Sequence, residues 1–413
     1  MRTLVRPKTL LILGAGSDQL HAISVARKMG VRVSAVDSNA SAPGSKIADD
    51  FAPISNRDTA ALRKFCVDSA RRGHPISGVL AVGSDIPDVV ANLTDFLRVP
   101  GPSPRTGEIT TDKFLMKECL RDSGVDVPWY ALVNNLDHLK SLLSDHGCEY
   151  YVMKPTNRSG ARGVFMVHRG SDIHGLYELT CQEAGDGRVM VEEYIPGGQI
   201  STESILLNGR AYTPGFADRN YEFLQRFAPR FIENGGIHPS KTSGSDRELV
   251  EELVEKAALS LGIRNGISKG DVVIGLDGLP RIIEMAARLS GGDFSASLIP
   301  LGTGVDIVAA AVRLSIGEEV KIGDLTEKWT RHIANRYFFP SPGRLQSIHG
   351  IDEVTRLPWV KKLEFYISPG EQVTEVRSHS DRLGVFVVEG DSREELEDRV
   401  RKIYKMIRFE VSN

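Results

Sequence analysis

The sequence predicts an α/β protein that combines a parallel sheet near its N-terminus with an antiparallel hairpin further along the chain. Within residues 1–105, the strand-like runs TLLIL, VRVSAVD and GVLAVGSD alternate with helical patterns, an order typical of βαβ units. The dipeptide Asp277-Gly278 between two apolar runs is a strong hairpin signal. Residues 331–413 predict a small α+β unit, because strand-like runs precede one final helix.

Length and composition predict a multidomain protein of the ordinary globular class. The chain has 413 residues, enough for two to four domains, and 41% of them are hydrophobic and 25% charged. A net charge of -3 without a basic stripe gives no support for a nucleic-acid partner. No stretch approaches the ~20 apolar residues of a membrane helix, so no membrane partner is predicted.

The N-terminus and the cysteines predict a cytoplasmic location. Basic residues and a short apolar run open the chain, and the run leading into Gly14-Ala-Gly16 indicates a first strand rather than a signal peptide. The 4 cysteines, at positions 66, 119, 148 and 181, form no C-x-x-C motif, and none is near a histidine at metal-site spacing. They are therefore predicted to be reduced thiols.

Periodicity and capping signals predict the other elements. Residues 19–30 form the first crossover helix, and PGPSP at 100–104 indicates a domain boundary. Asp112 caps a helix that ends near Gly124. The remaining predictions are strands at 150–153, 164–168, 189–191, 363–367 and 385–388, and helices at 246–262 and after the capping box Ser392-Arg-Glu-Glu395.

The predicted hairpin, residues 271–284, places two acids face to face. A two-residue loop at Asp277-Gly278 gives these opposed pairs: Leu276 with Leu279, Val273 with Ile282, and Asp271 with Glu284. Because opposed like charges destabilise a sheet, the two acids predict a cation between them, and Mg²⁺ binds carboxylate and phosphate oxygens. The alternative is that both acids end their strands in solvent, and Pro280 weakens the start of the second strand.

Arg288 follows Glu284 by four residues and precedes Leu289-Ser290-Gly291-Gly292. A guanidinium group matches a phosphoryl or carboxyl group through two parallel hydrogen bonds. The glycines let the backbone approach a charged ligand closely. Its position beside the predicted magnesium site makes Arg288 a candidate catalytic residue; the alternative is an ordinary surface salt bridge.

Two lysines and a glycine-containing loop are candidates for binding phosphates. Lys113 lies at a predicted helix start, and Lys154 lies at a predicted strand end before the loop PTNRSGARGVF. Backbone N–H groups around Ser159, Gly160 and Gly163 can surround phosphate oxygens, although the loop is not a Walker A motif. The alternative is that both lysines are ordinary surface residues.

The run VMVEEYIPGG at 189–198 predicts a strand that ends at a Pro-Gly break. Such a strand end exposes backbone N–H and C=O groups, which suit the donor and the acceptor of an adenine edge. The alternative is an ordinary strand end with two solvated acids.

The order of these motifs resembles the ATP-grasp superfamily along nearly the whole chain: a βαβ start, then tDKflmKecLrdsGvdvP, yvmKPtnrsGarGV, vmvEEYIpGGq and D…G…iiEmaaRlsGG. The N-terminal part is similar to the pre-grasp domain of carboxylase and carbamoyl-phosphate-type members. The E-x-x-x-R-x-x-G-G element and the C-terminal unit are most similar to the L-amino-acid ligase group.

This resemblance implies an ATP-grasp fold of class α/β. It divides the chain into a Rossmann-like pre-grasp domain at 1–105, an ATP-grasp domain with a central antiparallel sheet at 106–330, and a C-terminal α+β domain at 331–413. A lid subdomain at about 125–195 belongs to the second of these. The resemblance also assigns these roles: ATP phosphates for Lys113 and Lys154, magnesium for Asp271 and Glu284, and the transferred phosphoryl group for Arg288.

By the same resemblance, residues 192–195 form an adenine-binding hinge, in which the Glu192 carbonyl and the backbone of Glu193 and Ile195 meet the ring. Three positions depart from the common pattern. Gln199 stands where many members have a ribose-binding carboxylate, Ala286 stands where many have a metal-binding Asn, and Ala161 stands where the loop often has Ser. The small residue at 286 also occurs in the amino-acid ligase group.

The function implied by the resemblance is an ATP-dependent carboxylate–amine ligase. It forms an amide through an acyl phosphate and releases ADP and phosphate, with ATP and Mg²⁺ as cofactors. Its partners are a small-molecule carboxylate and an amine, and a homodimer remains open. Residues 237–240 are candidates for the acceptor pocket, with His238 helping to deprotonate the amine; a structural histidine is the alternative.

Three other functions remain as alternatives. The first is a bicarbonate-activating enzyme of carbamoyl-phosphate or purine-carboxylase type, which the N-terminal resemblance favours. The second is an NAD-dependent oxidoreductase, because Gly14-x-Gly16 follows a strand and Asp37 ends the next one, although Gln19 occupies the third glycine position. The third is a non-catalytic nucleotide sensor, which the complete set of charged motif residues argues against.

Overall fold

The computed structural model describes residues 7–168, 170–185 and 187–412. The basic residues Arg2 and Arg6, which entered the interpretation of the N-terminus, lie outside the described residues. No helix in the described ranges is both long and apolar enough to cross a membrane.

The N-terminal unit contains the predicted parallel sheet. Its strands lie in the order β3-β2-β1-β4, and every neighbouring pair is parallel. The elements up to the lid are β1 (Thr9–Leu13), α1 (Ser17–Lys28), β2 (Arg32–Val36), β3 (Asp50–Ala52), α2 (Thr59–Arg71), β4 (Ile76–Ala81), α3 (Pro87–Leu97), α4 (Pro104–Thr111) and α5 (Lys113–Asp122). Because parallel strands end at one edge of the sheet, the loops after β1 and β4 meet there.

The lid is a separate four-stranded antiparallel sheet with two helices. Its strands lie in the order β5-β8-β6-β7. Its elements are β5 (Tyr130–Val133), α6 (Leu136–His146), β6 (Tyr150–Pro155), β7 (Phe165–His168), α7 (Ile173–Ala184) and β8 (Val189–Glu193). Strand β8 is therefore central in the lid and extends two residues beyond its predicted end.

An eight-stranded sheet runs through the centre of the molecule, with the order β13-β12-β9-β10-β11-β14-β18-β16. Its first part is built from β9 (Gly197–Leu207), β10 (Arg210–Arg219), α8 (Leu224–Phe227), β11 (Gly236–His238), α9 (Ser245–Ser260), β12 (Gly266–Gly275), β13 (Pro280–Ala286), α10 (Ile299–Thr303) and α11 (Ile307–Ser315). The C-terminal part adds three strands to this sheet, β14 (His332–Tyr337), β16 (Val360–Phe365) and β18 (Gly384–Gly390), together with helices α12 (Ile351–Thr355) and α13 (Arg393–Met406). A separate antiparallel sheet of the C-terminal part has the order β17-β15-β19 and consists of β15 (Gly343–His349), β17 (Gln372–Val373) and β19 (Arg408–Ser412).

The core shows how closely these parts are joined. Helix α11 packs on the N-terminal parallel sheet, since Val308 and Val312 share one buried cluster with Leu10 and Ile12. Gly78 in β4 allows this approach, because a Cβ atom there would lie 2.1 Å from the carbonyl oxygen of Ser315. The central sheet likewise continues from β11 into β14. The domain boundaries at 105 and 330 therefore stay a prediction.

The hairpin of β12 and β13 has the predicted acid pair but not the predicted loop. Asp271 lies directly opposite Glu284, as expected. The pairing of Val273 with Ile282 is wrong, because Val273 pairs with Arg281. The two-residue loop is also wrong: the N–H of Gly275 donates to the Leu279 carbonyl at 3.1 Å, which closes a three-residue loop.

The cause is a glycine conformation that the sequence pattern does not show. Gly278 has a φ of 77°, the left-handed residue of a three-residue hairpin loop. The three-residue loop shifts the register by one residue, and a bulge opposite the step from Asp271 to Val272 shifts it back. The two offsets cancel, so the acid pair survives.

The final helix begins as its capping signal predicted, with one change of partner. The Ser392 hydroxyl accepts the Glu395 N–H at 3.2 Å, but the Glu395 carboxylate accepts the Asp391 N–H at 2.8 Å instead of that of Ser392. Leu396 and Val400 are buried against the central sheet.

Candidate active site

A cavity of about 670 Å³ lies where the N-terminal unit, the lid, the central sheet and the C-terminal part meet. Most of the predicted site residues line it: Lys113, Lys154, Ser159, Gly160, Glu192, Glu193, Ile195, Gln199, Asp271, Glu284 and Arg288. Gly163 and His238 are not among the lining residues. The fold thus brings together side chains that are far apart in sequence; Lys113 and Arg288, for example, are separated by 175 positions.

Asp271 is the more strongly held of the two opposed acids. Its Oδ2 atom pairs with Arg219 Nη1 at 2.7 Å and with Lys269, and its Oδ1 atom accepts the Ser201 hydroxyl at 2.9 Å. Burial opposes ionisation of Asp271, but Arg219 and Lys269 outweigh it and hold its pKa well below the usual range. The residue is therefore a carboxylate at neutral pH. Sequence reasoning missed all three of these partners.

Glu284 pairs with the predicted phosphate-binding lysine. Lys113 Nζ lies 3.3 Å from Glu284 Oε1 and donates to the Arg158 carbonyl at 2.6 Å. Asp112 caps α5 as predicted, accepting the N–H groups of Phe114 and Leu115, which fixes Lys113 at the start of that helix. Burial disfavours the charge on Lys113, but Glu284 and Asp85 raise its pKa above the ordinary value.

The residues present fit a magnesium ion. Asp271 and Glu284 offer carboxylate oxygens from directly opposed positions and both line the cavity, and hard cations such as Mg²⁺ prefer oxygen ligands. The side chains that surround the two acids are positively charged, and they would also pair with the phosphates of a bound nucleotide.

Arg288 is buried and is held by an acid from the N-terminal unit. Its Nε and Nη2 atoms contact Asp85 Oδ1 at 2.7 and 2.5 Å, and its Nη1 atom donates to the Leu289 carbonyl at 3.2 Å. Burial disfavours ionisation of Asp85, but Arg288 and Lys113 hold its pKa below the ordinary value. These contacts use three of the five N–H groups of the guanidinium, so two remain for a ligand.

The reason that Asp85 reaches Arg288 lies at the edge of the parallel sheet. The N–H of Gly83, just after β4, donates to the Leu289 carbonyl at 3.0 Å, and Asp18 accepts the Gly292 N–H at 2.9 Å. Hydrogen bonds from the start of α1 and from the loop after β4 therefore hold the segment that follows Arg288. An apolar strand followed by Gly-Ser-Asp was the available signal for Asp85, but only the fold identifies its partner.

The hinge prediction assigned a role only to the carbonyl of Glu192, but its side chain also contributes to the site. Its buried carboxylate pairs with Lys154 Nζ at 2.5 Å and with Lys117 Nζ at 2.9 Å. Burial disfavours ionisation of Glu192, but Lys117 and Lys154 hold its pKa below the ordinary value. Burial lowers the pKa of Lys117 to about 8 despite this pairing. The side chain of Glu192 therefore positions Lys154 at the cavity, and Lys117 was missed from the sequence.

The hinge backbone is partly occupied within the protein. The Glu193 N–H donates to the Trp129 carbonyl at 2.9 Å, so this donor is not free for a ring and only the carbonyl side of Glu193 fits the predicted role. The N–H of Ile195 makes no hydrogen bond within the part of the chain that the structure describes. Gln199 lines the same end of the cavity from β9.

The glycine loop after β6 lines the cavity through part of its length. Gly160 and Ala161 have φ values of 67° and 58°, which turn the loop through the left-handed region. Gly163 is not among the lining residues, and an added Cβ there would lie 2.8 Å from Glu183, so its part in phosphate binding stays a prediction. The Gly160 carbonyl accepts the His379 N–H at 2.9 Å, which ties the loop to the C-terminal part.

The far half of the cavity is built by residues that the sequence did not predict. Arg219 pairs with Glu233, and Arg382 donates to the Glu233 carbonyl at 2.6 Å. The Arg382 guanidinium lies 3.9 Å from the centroid of the Tyr337 ring. Burial and the nearby Arg382 hold the pKa of His379 well below its ordinary value, so this histidine is neutral. Polar and charged side chains therefore line this half of the cavity as well as the half that contains Lys113 and Lys154.

His238 is a correction to the predicted site. It is 2% exposed in β11, and its Nδ1 atom lies 3.0 Å from the Arg331 carbonyl. Gly302 packs against its ring, since a Cβ there would lie 2.4 Å from Nδ1. His238 is thus a packed core histidine that does not line the cavity.

Comparisons with known proteins agree with this architecture. A family model described as ATP-grasp domain matches residues 110–292, and one described as L-amino acid ligase C-terminal domain 2 matches residues 336–412. Dapdiamide A synthase of Enterobacter agglomerans is 21% identical over 417 residues, covering 98% of this chain and 96% of that protein.

Two solved structures share the fold. The L-amino acid ligase from Bacillus licheniformis has a TM-score of 0.85 at 20% identity, covering 99% of this chain and 100% of that chain. The biotin carboxylase domain dimer of Hydrogenobacter thermophilus 2-oxoglutarate carboxylase, in complex with MgADP, ADP and bicarbonate, has a TM-score of 0.75 at 18% identity, covering 98% and 91% of the two chains.

Residues 110–292 form an ATP-grasp domain, and the whole chain has the fold of the ATP-grasp superfamily. It is an ATP-grasp ligase that acts on small molecules, and enzymes of this superfamily use ATP and Mg²⁺. The predicted fold class is confirmed.

Proposed function

We propose that this protein joins a small carboxylate to an amine, with Lys154 and Arg288 acting on the transferred phosphoryl group. One observation carries the proposal: the cavity joins a half lined by Lys113, Lys154 and Arg288 to a polar half lined by Arg219, Glu233 and side chains of the C-terminal part. The chain of ion pairs from Asp271 through Arg219 to Glu233 runs between the two halves. The match of residues 336–412 to an L-amino acid ligase domain supports an amine acceptor in that second half.

The first step forms an acyl phosphate. An oxygen of the substrate carboxylate attacks the γ-phosphorus of ATP, and the bond from that phosphorus to ADP breaks with its electron pair leaving on ADP. Lys154, positioned by Glu192, and Arg288, positioned by Asp85, neutralise the charge that builds on the phosphoryl oxygens. The loop after β6 and the lid exclude water that would hydrolyse the product.

Mg²⁺, held by Asp271 and Glu284, would neutralise charge on the nucleotide phosphates. In the second step, the amine nitrogen attacks the acyl carbon, and the bond from that carbon to the phosphate oxygen breaks. Phosphate leaves with the electron pair, and the amine proton passes to phosphate or solvent. No side-chain nucleophile is needed, so the role of the protein is to position the reactants and to shield them from water.

The proposal is tested by a screen of acid–amine pairs. Purified protein is incubated with Mg-ATP, and phosphate release is measured together with mass spectrometry of the product. We expect phosphate release that requires both an acid and an amine, with one amide formed for each phosphate. Omitting either substrate gives the matched control, because an idle ATPase would release phosphate in every reaction.

The same screen distinguishes amide ligation from a bicarbonate-activating reaction. The fold shared with a bicarbonate-bound biotin carboxylase domain favours a bicarbonate-activating enzyme as the second candidate. Phosphate release driven by bicarbonate alone, with no amine, would favour that candidate over amide ligation.

Three further features are part of this proposal. The domains are 1–105, 106–330 with the lid at about 125–195, and 331–413. The protein acts in the cytoplasm, where ATP is abundant, and its four free thiols fit a reducing compartment. It forms a homodimer, as the biotin carboxylase domain of similar fold is described as doing.

A further inference from the structure

Three side chains of metal-ligating type meet on the lid, apart from the residues assigned to catalysis. They are His146 at the end of α6, Cys148 in the following loop, and Glu193 at the end of β8. One ligand atom from each lies within 4.8 Å of those of the other two. Bonds of about 2.0–2.3 Å in a tetrahedral zinc site place ligand atoms about 3.3–3.8 Å apart, so small side-chain rotations would bring all three onto one ion.

The surrounding structure already fixes the three positions. The Cys148 N–H donates to the Tyr151 hydroxyl at 2.7 Å, and the Glu193 N–H donates to the Trp129 carbonyl at 2.9 Å. The Trp129 ring stacks on the His146 ring, with centroids 4.0 Å apart and planes at 16°. A preformed arrangement of this kind lowers the cost of ordering ligands around an ion.

One of the ligand groups is poorly satisfied by the protein alone. His146 Nδ1 is buried and has no hydrogen-bond partner among the described residues, an arrangement that costs free energy. An ion would satisfy the imidazole nitrogen and would displace the Cys148 thiol proton to solvent.

We propose that His146, Cys148 and Glu193 bind a thiophilic divalent cation such as Zn²⁺, with water as the fourth ligand. Nitrogen, sulfur and carboxylate donors together are typical of zinc, whereas the Asp271 and Glu284 pair offers only the oxygen ligands that suit magnesium. The proposed site shares Glu193 with the hinge that lines the cavity, but none of its ligand groups belongs to the magnesium pair.

The sequence contains no signal for this site, because none of the cysteines is near a histidine at metal-site spacing. His146 and Cys148 are two residues apart, a spacing that matches none of the common zinc motifs. The third ligand comes from β8, which only the fold of the lid brings alongside.

The proposed metal site lies beside the predicted adenine-binding hinge. Glu193 belongs to the predicted hinge at 192–195, and its backbone pairs β8 with β6 at Tyr151. A bound ion would link the loop after α6 to the strand that carries the hinge. We therefore expect the ion to slow hydrogen exchange in the lid.

The test uses Co²⁺ as a spectroscopic probe on the full-length protein, in the presence of excess Mg²⁺ to fill oxygen-ligand sites. We expect one Co²⁺ per chain with a thiolate-to-cobalt charge-transfer band, and displacement of this band by Zn²⁺. Cys148→Ser should abolish the band, and His146→Gln should weaken Zn²⁺ binding about 100-fold. The matched control is Cys181→Ser, which removes the lid thiol on α7 and should leave binding unchanged.

A second measurement needs no variant. Zn²⁺ should protect Cys148 from alkylation in the wild-type protein while Cys181 reacts at an unchanged rate, as read by peptide mass spectrometry. Cobalt binding without a thiolate band, a band that survives in Cys148→Ser, or equal alkylation of Cys148 with and without Zn²⁺ would overturn the proposal. Because neither measurement involves ATP, failure here leaves the proposed ligase activity untouched.

Discussion

Replacing Arg288 by lysine is expected to lower kcat by about 10³-fold, with a smaller change in the KM for ATP. Lysine keeps the positive charge beside Asp85, but it loses the planar fork that leaves two N–H groups free for the transferred phosphoryl group. The loss should therefore fall on the transition state rather than on ground-state binding. Steady-state phosphate release, with the acid–amine pair found in the screen, measures both constants.

Arg288→Ala is a less suitable variant because it leaves Asp85 buried without its partner. Removing one member of a buried ion pair costs about 3–5 kcal/mol of stability, so lost activity could reflect unfolding. Arg281→Lys is the matched control, since that arginine pairs with Asp277 in the hairpin loop. It should retain kcat within about two-fold. Near-normal turnover by a folded Arg288→Lys protein would exclude the proposed role.

Glu284→Gln is expected to raise the Mg²⁺ concentration for half-maximal activity by about 10-fold or more and to lower kcat about 10²-fold. An amide oxygen is a weaker ligand for a hard cation than a carboxylate, and Mg²⁺ tolerates few departures from its preferred oxygen shell. The variant also removes the acid that pairs with Lys113 and that helps to raise its pKa. Activity measured against free Mg²⁺ at saturating ATP gives both numbers.

Asp277→Asn serves as the control for Glu284→Gln, because the same hairpin carries it and its carboxylate, at the surface, pairs with Arg281 and accepts the Leu279 N–H. Its Mg²⁺ dependence should match the wild type. If Glu284→Gln shows the same Mg²⁺ dependence as Asp277→Asn, then Glu284 is not a metal ligand.

The hairpin illustrates which part of the site could be predicted from the sequence. Local patterns determined that Asp271 and Glu284 would be opposed, because both acids lie on strands whose pairing starts at one turn. The loop length and the bulge could not be predicted, since each depends on backbone conformations such as the positive φ of Gly278. The acid pair was right because the two offsets cancel.

The partners of the site residues could not be predicted, because they depend on long-range packing. Asp85 reaches Arg288 through the edge of the parallel sheet, and Lys117 reaches Glu192 only when α5 packs beside the lid. His238 was placed in the acceptor pocket from its neighbours in sequence, but β11 buries it within the central sheet. Motif spacing identifies charged residues, whereas the fold decides which charges meet.

The central claim is that the substrate carboxylate is activated by transfer of the γ-phosphoryl group. It is tested most directly by turning over a carboxylate labelled with ¹⁸O, together with its amine and Mg-ATP, and analysing the released phosphate by mass spectrometry. Formation of an acyl phosphate predicts one ¹⁸O atom in each phosphate, since the carboxylate oxygen that attacks phosphorus leaves with it. Amide formation with unlabelled phosphate would contradict the mechanism.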